Sequence, residues 1–429
     1  MNVGSTTRRA GAFASGSARS ERTAAHVAQG LPVRDATLPP RSPVRLLTLT
    51  TLFPNAVQPR HGIFIATRLR RLCDTGDVSS TVIAAVPRFP GAYRIQAGIP
   101  ESEETFGLRV YHPRYANVPG IGMRLQPRML AASILGEIRR RGLDAESFDV
   151  VDAHYFYPDG VAAAHVARAL RLPLVISARG SDINVIGDLG FARRAMVAAA
   201  SSAKGLVAVS QALSQRMETL GMPADRIEVL RNGVDTGIFS PMARERARAS
   251  LGFTGDVPLV LGVGNLVAEK AWDLLIRAVA RLPGARLALV GEGPLRGMLE
   301  TLAHDLAPGR VRFLPNMPQP ELRVAYAAAD VTGLPSLREG WPNVVLESLA
   351  CGTPVIAASV GGVPEILRPG SPAVVLEHRS PEAWSEGIER LIGARHEPSA
   401  VHAYAAAFGW DEVVAGQAAL YRRIATLRE

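Results

Sequence analysis

The 429-residue chain is 47% hydrophobic, 20% charged and 6% aromatic, a composition of soluble globular proteins that excludes disordered and fibrous classes, and it is long enough for two large domains. No apolar run reaches the roughly 18 residues of a membrane-spanning helix, and two cysteines, Cys73 and Cys351, make no disulfide framework and suit a reducing cytoplasm. A net charge of +9, almost all arginine because Lys204 and Lys270 are the only lysines, favours anionic partners, yet zinc-finger spacing, RNP aromatic motifs and basic coiled coils are missing, so nucleic acid is not expected.

Residues 1–43 are rich in Ala, Ser, Gly, Arg and Pro, lack the apolar core of a signal peptide, and are expected to be a disordered extension. A rhythm of strands and helices starts at Val44: VRLLTLT (44–50) has the near-continuous apolar character of a buried parallel strand. The loop FPNAVQPRHGIF leads to a helix over 63–74, and Gly62 stands where they meet, either as a turn residue or as a point of close approach to a ligand. A strand over 77–86, an irregular loop over 87–106, a strand over 108–112 and an Arg-rich helix over 121–141 follow.

FDVVDAHYFYPDG predicts a strand over 149–153 with His154 at its carboxyl end, then a polar turn and a helix over 159–170. A strand-end histidine is a candidate for handling protons or holding an acceptor, although a lone histidine is as often structural. PLVISARGSDIN (173–184) repeats the pattern and brings Arg179 and Asp182 to a second strand end, where a guanidinium can hold an anion through two bonds. A helix over 191–203, a strand over 205–209 and a helix over 211–220 precede the Asn232-Gly233 turn.

The rhythm restarts at 257–282 with strand, glycine turn and helix. Gly262-x-Gly264 alone is a weak dinucleotide signal, and Val267 stands where that pattern wants a third small residue. GEGPLRG, after the strand at 285–290, would need an acid about 20 residues on at a strand end; that region reads VRFLPNM, so a nicotinamide enzyme is not supported. Strand 310–314 and helix 319–329 lead to VTGLPSLREGWPNVVLESLACGTPVIAASVGGVPE (331–365). Here a strand, a loop holding Glu339, Gly340, Trp341 and Pro342, a helix over 343–350 holding Glu347, and a further strand follow one another. Ligands bind where a strand's carboxyl end meets a helix's amino end, and unpaired amides there favour anions. Two carboxylates beside an anion site are explained by sugar hydroxyls, which donate to acceptor-only carboxylates. Strand 372–376, helix 381–393 and a last amphipathic helix over 411–428 complete the chain.

The pattern E-G-x-P-x-x-x-x-E, followed by A-C-G-T-P-V-I-A and G-G-V-P-E without gaps over 335–365, resembles the donor site of retaining family-4 glycosyltransferases. That resemblance implies an α/β GT-B fold, two Rossmann-like doubly wound parallel-sheet domains facing a deep cleft. It places an acceptor-binding domain at 44–240, a nucleotide-sugar domain at 241–410 and a helix returning to the first domain at 411–429. It further implies that Glu339 grips the donor sugar and Glu347 the ribose, with Gly264, Asn265, Lys270, Gly340, Trp341, Pro342, Asn343 and Val344 around the donor. Glu339, His154 and Lys270 become the catalytic candidates, and Gly62, His154, Arg179 and Asp182 the acceptor side. Three departures stand out: Asn265 occupies the place of a family arginine, Ala271 that of a family glycine, and Arg179 that of a family histidine.

Breaking an anomeric C–O bond of a nucleotide sugar leaves a diphosphate that needs positive charge. No D-x-D triplet is present to hold a metal, so no cofactor is expected, and Lys270 with the 340–344 amides would supply the potential. LFPNAVQPRHGIF, YPDG and RGSDIN look most like members building surface polysaccharides such as teichuronic acid, with UDP the commoner donor and a glycan or lipid-linked acceptor. Arginines 68, 70, 71 and 139–141 could bring two helices of a cytoplasmic enzyme to anionic lipid at the inner face of the plasma membrane, unless they are simply a solvated face. A nucleotide-sugar epimerase, a sugar phosphorylase or a non-catalytic nucleotide-sugar binder would share the architecture; a glycosidase would leave the diphosphate features without purpose.

Overall fold

The computed structural model describes residues 42–88, 98–117 and 122–427, and residues 43–429 form one compact unit. The N-terminal extension, the stretch 89–97 of the expected loop and the last two residues lie outside the described residues.

Two parallel sheets carry the architecture. The first runs, edge to edge, Ile227–Val229, Gly205–Ala208, Leu174–Ser177, Val150–His154, Val44–Thr50, Val78–Ala84, Leu108–Tyr111 and Ser102–Thr105. Only its last pair is antiparallel. The second runs Val311–Leu314, Arg286–Val290, Leu259–Val263, Val331–Leu334, Val355–Ala358 and Ala373–Leu376, parallel throughout. Strands buried on both faces are what their Val, Ile and Leu runs require. This is an α/β, doubly wound, GT-B architecture.

Chain order reverses direction at one place in each sheet. In the first sheet, Val44–Thr50 lies between the next strand in sequence and Val150–His154. In the second, Leu259–Val263 lies between Arg286–Val290 and Val331–Leu334. Loops leaving the carboxyl ends of the two flanking strands must part there, which opens a crevice for a ligand.

The 87–106 segment, expected to be irregular, is partly ordered into strands: Val86–Arg88 pairs with Arg114–Ala116, and Ser102–Thr105 folds back on Leu108–Tyr111. Alternating exposure along Ser102–Thr105 marks an edge strand without the apolar run that signals strands elsewhere. Pro398–Ala406 is a further helix that sequence periodicity did not announce; two of its residues, Val401 and Ala405, are buried, too few to print a pattern.

Helices cover both sheets. Val414, Ala418, Tyr421 and Ile424 of the last helix, Asp411–Ala425, pack with Leu46, Val82 and Leu69 of the first sheet and its first helix. Trp272, Leu275 and Trp384 close the far face of the second sheet.

Candidate functional site

The loops at the second switch point bring Lys270 and Glu339 together. Lys270 follows the strand Leu259–Val263, Glu339 follows Val331–Leu334, and the Lys270 ammonium donates to Glu339 Oε1 at 2.7 Å. Gly264 makes room for this. With φ of 150° it sits where a side chain is disfavoured, and a Cβ there would lie 3.3 Å from the Trp272 ring and 3.5 Å from Lys270 Cε. Asn265 is exposed, and its carbonyl accepts from Trp272 Nε1 at 2.9 Å. Gly291 and Gly293, which imitate a dinucleotide motif, instead let this loop press on its neighbour: a Cβ on Gly293 would lie 2.8 Å from Leu266 N.

Pro342 precedes the helix Asn343–Ala350, whose first amides take no side-chain cap from it. Trp341 is buried and donates through Nε1 to the Asn232 carbonyl at 2.9 Å. Its side chain therefore joins the two sheets' loops. Asn232 Nδ2 reaches Asn343 Oδ1 at 3.2 Å beside it. Gly340 is required by proximity, because a Cβ would sit 2.5 Å from the Arg179 carbonyl and 2.9 Å from Gly180 Cα.

Glu347, one turn further along, accepts from the Tyr326 hydroxyl at 2.9 Å. It lines a cavity of about 90 Å³ with Asn343, Phe64, Gly233 and Trp410. Burial pushes its carboxyl up to about 7, against the lowering effect of the Tyr326 bond. Val344 is half-buried. A second cavity, about 440 Å³, is bounded by Glu339, Leu337 and Gly361 on one side and by Asn184 and Arg216 on the other.

At the first switch point the geometry differs from expectation. His154 is 1% exposed; its Nδ1 accepts from Arg179 Nη2, and Nε2 lies 2.8 Å from Asp152 Oδ2. Both ring nitrogens face protein groups, so His154 is a buried link and not a proton acceptor open to the cleft. Burial first, with the Arg179 and Arg68 charges helping, keeps its pKa low despite Asp152. Asp152 also accepts from Thr48 Oγ1 at 3.2 Å and Tyr421 OH at 2.8 Å. Burial opposes its ionisation, but His154, Tyr421 and Arg179 prevail and hold it low.

Asp182, expected to meet the acceptor, is 0% exposed. It takes the amides of Phe156 at 2.7 Å, Gly180 at 2.8 Å and Arg179 at 3.1 Å. A carboxylate spent on three backbone donors shapes the Arg179 turn. Gly62 is likewise structural: its φ is 68° and a Cβ would collide with the Leu52 carbonyl.

Arg68 corrects the basic-face expectation. It is 1% exposed, donates to Gln417 Oε1 through Nε, and reaches the Leu230 carbonyl at 3.0 Å and Asn232 Oδ1 at 3.2 Å through Nη1. Arg71 pairs with Asp235, and Arg140 and Arg141 share Glu137 and Glu101. Sequence reasoning missed Asp152, Arg68, Gln417 and Tyr421 as a network. Signals existed: Asp152 and His154 are two apart on one strand, and Gln417 and Tyr421 four apart on one helix, so each pair shares a face.

These two switch-point sites on paired Rossmann-like sheets define a GT-B glycosyltransferase. Residues 63–237 match the model for Glycosyltransferase Family 4, and residues 243–408 that for Glycosyl transferases group 1. D-inositol 3-phosphate glycosyltransferase 1 of Catenulispora acidiphila is 33% identical over 89% of this chain and 96% of its own length. The putative teichuronic acid biosynthesis glycosyltransferase TuaC of Bacillus subtilis is 32% identical over 81% and 89%. Among solved structures, sucrose-phosphate synthase from Thermosynechococcus elongatus superposes with a TM-score of 0.73 at 20% identity, covering 89% of this chain and 99% of that one. Anabaena HepE in complex with UDP-glucose gives 0.68 at 20% identity over 87% and 98%. The chain belongs to glycosyltransferase family 4, the group 1 glycosyltransferases.

Proposed function

We propose that this glycosyltransferase moves a sugar, with retention and without a metal, from a nucleoside-diphosphate donor, UDP-linked by preference, to a glycan or lipid-linked acceptor in surface polysaccharide synthesis. The observation that carries the reading is the Lys270–Glu339 pair at the switch point, 2.7 Å apart. An ammonium suits a diphosphate, and the carboxylate beside it suits sugar hydroxyls. Glu347, one helical turn away, is the candidate for ribose hydroxyls. HepE, a structural neighbour, was solved with UDP-glucose, and TuaC carries the teichuronic acid name; both favour this donor and role.

Chemically, bond cleavage leaves negative charge on the diphosphate, which Lys270 and the helix start at Asn343 would stabilise. Leaving group and acceptor would share one face of the sugar, so no glycosyl bond to Glu339 forms. A donor analogue that traps Glu339 covalently would overturn that part.

Calorimetric titration with UDP, GDP and NAD, with and without EDTA, tests the donor site. Binding of one nucleoside diphosphate, insensitive to EDTA and lost in Glu347→Ala, is expected; no binding of any diphosphate sinks the reading. Nucleotide release only on addition of acceptor separates a transferase from an epimerase or a mere binder. Peripheral contact with anionic membrane would rest on exposed Arg70 and Arg139, and absence of sedimentation with anionic liposomes at low salt would remove it.

A further inference from the structure

Two guanidiniums share the buried network at the first switch point; Asp152 favours the charge of both and Asp182 that of Arg179 through space, but among the described residues no carboxylate bonds either one. Arg179 spends Nη2 on His154, while its Nε and Nη1 are shut from solvent without a hydrogen-bond partner among the described residues. Arg68 uses Nε and Nη1, and its Nη2 is equally without a partner. Asp152 is engaged by Tyr421, Thr48 and His154, and Asp182 by three backbone amides. Burying two guanidiniums with donors left unpaired is unfavourable, and an arriving anion would relieve it. Each guanidinium suffers for it: burial, then in Arg68 the repulsion of Arg179, pulls Arg68 down to about 9, and burial pulls Arg179 down to about 10.

Position tells which anion could reach them. The Arg179 guanidinium lies 5.7 Å from the Phe64 ring centre, and Phe64 also lines the cavity that holds Glu347 and Asn343. The Arg179 carbonyl and Gly180 are in contact range of Gly340, the residue after Glu339. Lys270 is the charged side chain of its loop that bonds Glu339.

We propose that Arg68 and Arg179 form a phosphoryl-binding site at the first switch point that takes a phosphate of the donor or of a phosphorylated acceptor. The proposal rests on the transferase reading for its substrates, and on the unpartnered buried nitrogens for its chemistry. Arginine presents a planar fork of donors to a phosphate, so these free positions are the ones a phosphoryl group would occupy. His154 is then a positioning residue: its Nδ1 accepts from Nη2 and fixes the guanidinium whose Nε and Nη1 remain without a partner among the described residues.

Titration of the full chain and its Arg179→Gln variant with UDP, uridine, inorganic pyrophosphate, D-inositol 3-phosphate and myo-inositol tests the idea. The variant is expected to bind one phosphorylated probe about tenfold to hundredfold more weakly while its unphosphorylated partner is unaffected. Loss confined to UDP and pyrophosphate assigns the donor diphosphate; loss confined to D-inositol 3-phosphate assigns an acceptor phosphate; either supports the site. Binding of all three phosphorylated probes within about twofold of the parent, on the same affinity arithmetic, overturns it. Should Arg179→Gln fail to fold, Lys270→Ala decides. A saturable rise in melting temperature with pyrophosphate or with D-inositol 3-phosphate, above that of chloride at equal ionic strength, must survive the loss of Lys270, and its disappearance with both overturns the proposal. Pyrophosphate binding by Lys270→Ala, with no sugar transfer by the parent chain from any nucleoside-diphosphate donor tested, would sink the transferase reading and leave this site standing.

Discussion

Lys270 Nζ donates to Glu339 Oε1 at 2.7 Å, although the two residues are 69 positions apart and leave different strands of one sheet. In the free protein each satisfies the other, so a nucleotide sugar must separate them, the diphosphate taking the ammonium and the hydroxyls the carboxylate. Glu339→Gln releases Lys270 without removing its charge. UDP affinity should therefore be held or raised, while kcat/KM for sugar transfer should drop by about 100-fold, near 2.7 kcal/mol of lost transition-state stabilisation. Calorimetry beside initial rates checks both halves, and a parallel fall in UDP affinity would contradict the exchange of partners.

Glu347 brings a pH dependence. Its carboxyl is raised to about 7 chiefly by burial, above its ordinary range. A raised carboxyl contributes stability that is fully present below its unfolded value and is lost as pH rises through the folded one. Wild-type melting temperature should fall between about pH 4.5 and 7 by this route, and Glu347→Gln should gain on wild type at pH 8 but not at pH 4. Accepting ribose hydroxyls needs the ionised form, so nucleoside diphosphate affinity should rise across the same interval. An affinity flat from pH 5.5 to 8 would remove Glu347 from the ribose.

Tyr421 ties the last helix to Asp152 with a bond of 2.8 Å, and Gln417 donates to the same hydroxyl at 2.6 Å. Tyr421→Phe leaves a buried carboxylate short of one donor, which costs about 1–3 kcal/mol. Urea unfolding should show that loss with an unchanged m-value. A variant as stable as the parent would mean the hydroxyl is dispensable.

Gly340 has no room for a methyl group, since a Cβ would stand 2.5 Å from the Arg179 carbonyl. Backbone on both sides must shift in Gly340→Ala, and Glu339 is the neighbouring residue. Melting temperature should fall, by about 1–3 kcal/mol of stability, and transfer activity measured well below it should still fall about tenfold or more, because a misplacement of about 1 Å can cost far more in rate than in stability.

Asp182→Ala should cost stability above all. Three backbone donors lose their acceptor, each worth about 1–3 kcal/mol when buried, so the Arg179 turn should loosen and the protein unfold at markedly lower urea. An Asp182→Ala variant of parental stability, with weakened acceptor binding, would restore the acceptor role that its burial argues against.

The strand-and-helix rhythm and the two-sheet architecture were legible in the chain because buried parallel strands are continuous apolar runs, and Glu339 with Lys270, which the structure brings together, stood out through the family pattern. What only the tertiary structure decided was the state of each polar group. His154, Arg179 and Asp182 could be read as cleft residues from their strand ends, yet burial turned His154 toward Asp152 and gave Asp182 to the backbone. Arg68 sits among the apolar positions of an amphipathic helix, and whether it faces lipid or Gln417 depends on a helix 349 residues later. Local sequence determines where chain direction and hydrophobic faces go. Whether a charged group is free, paired or without a partner depends on which distant residue arrives within 3 Å or so of it, and that is set by packing.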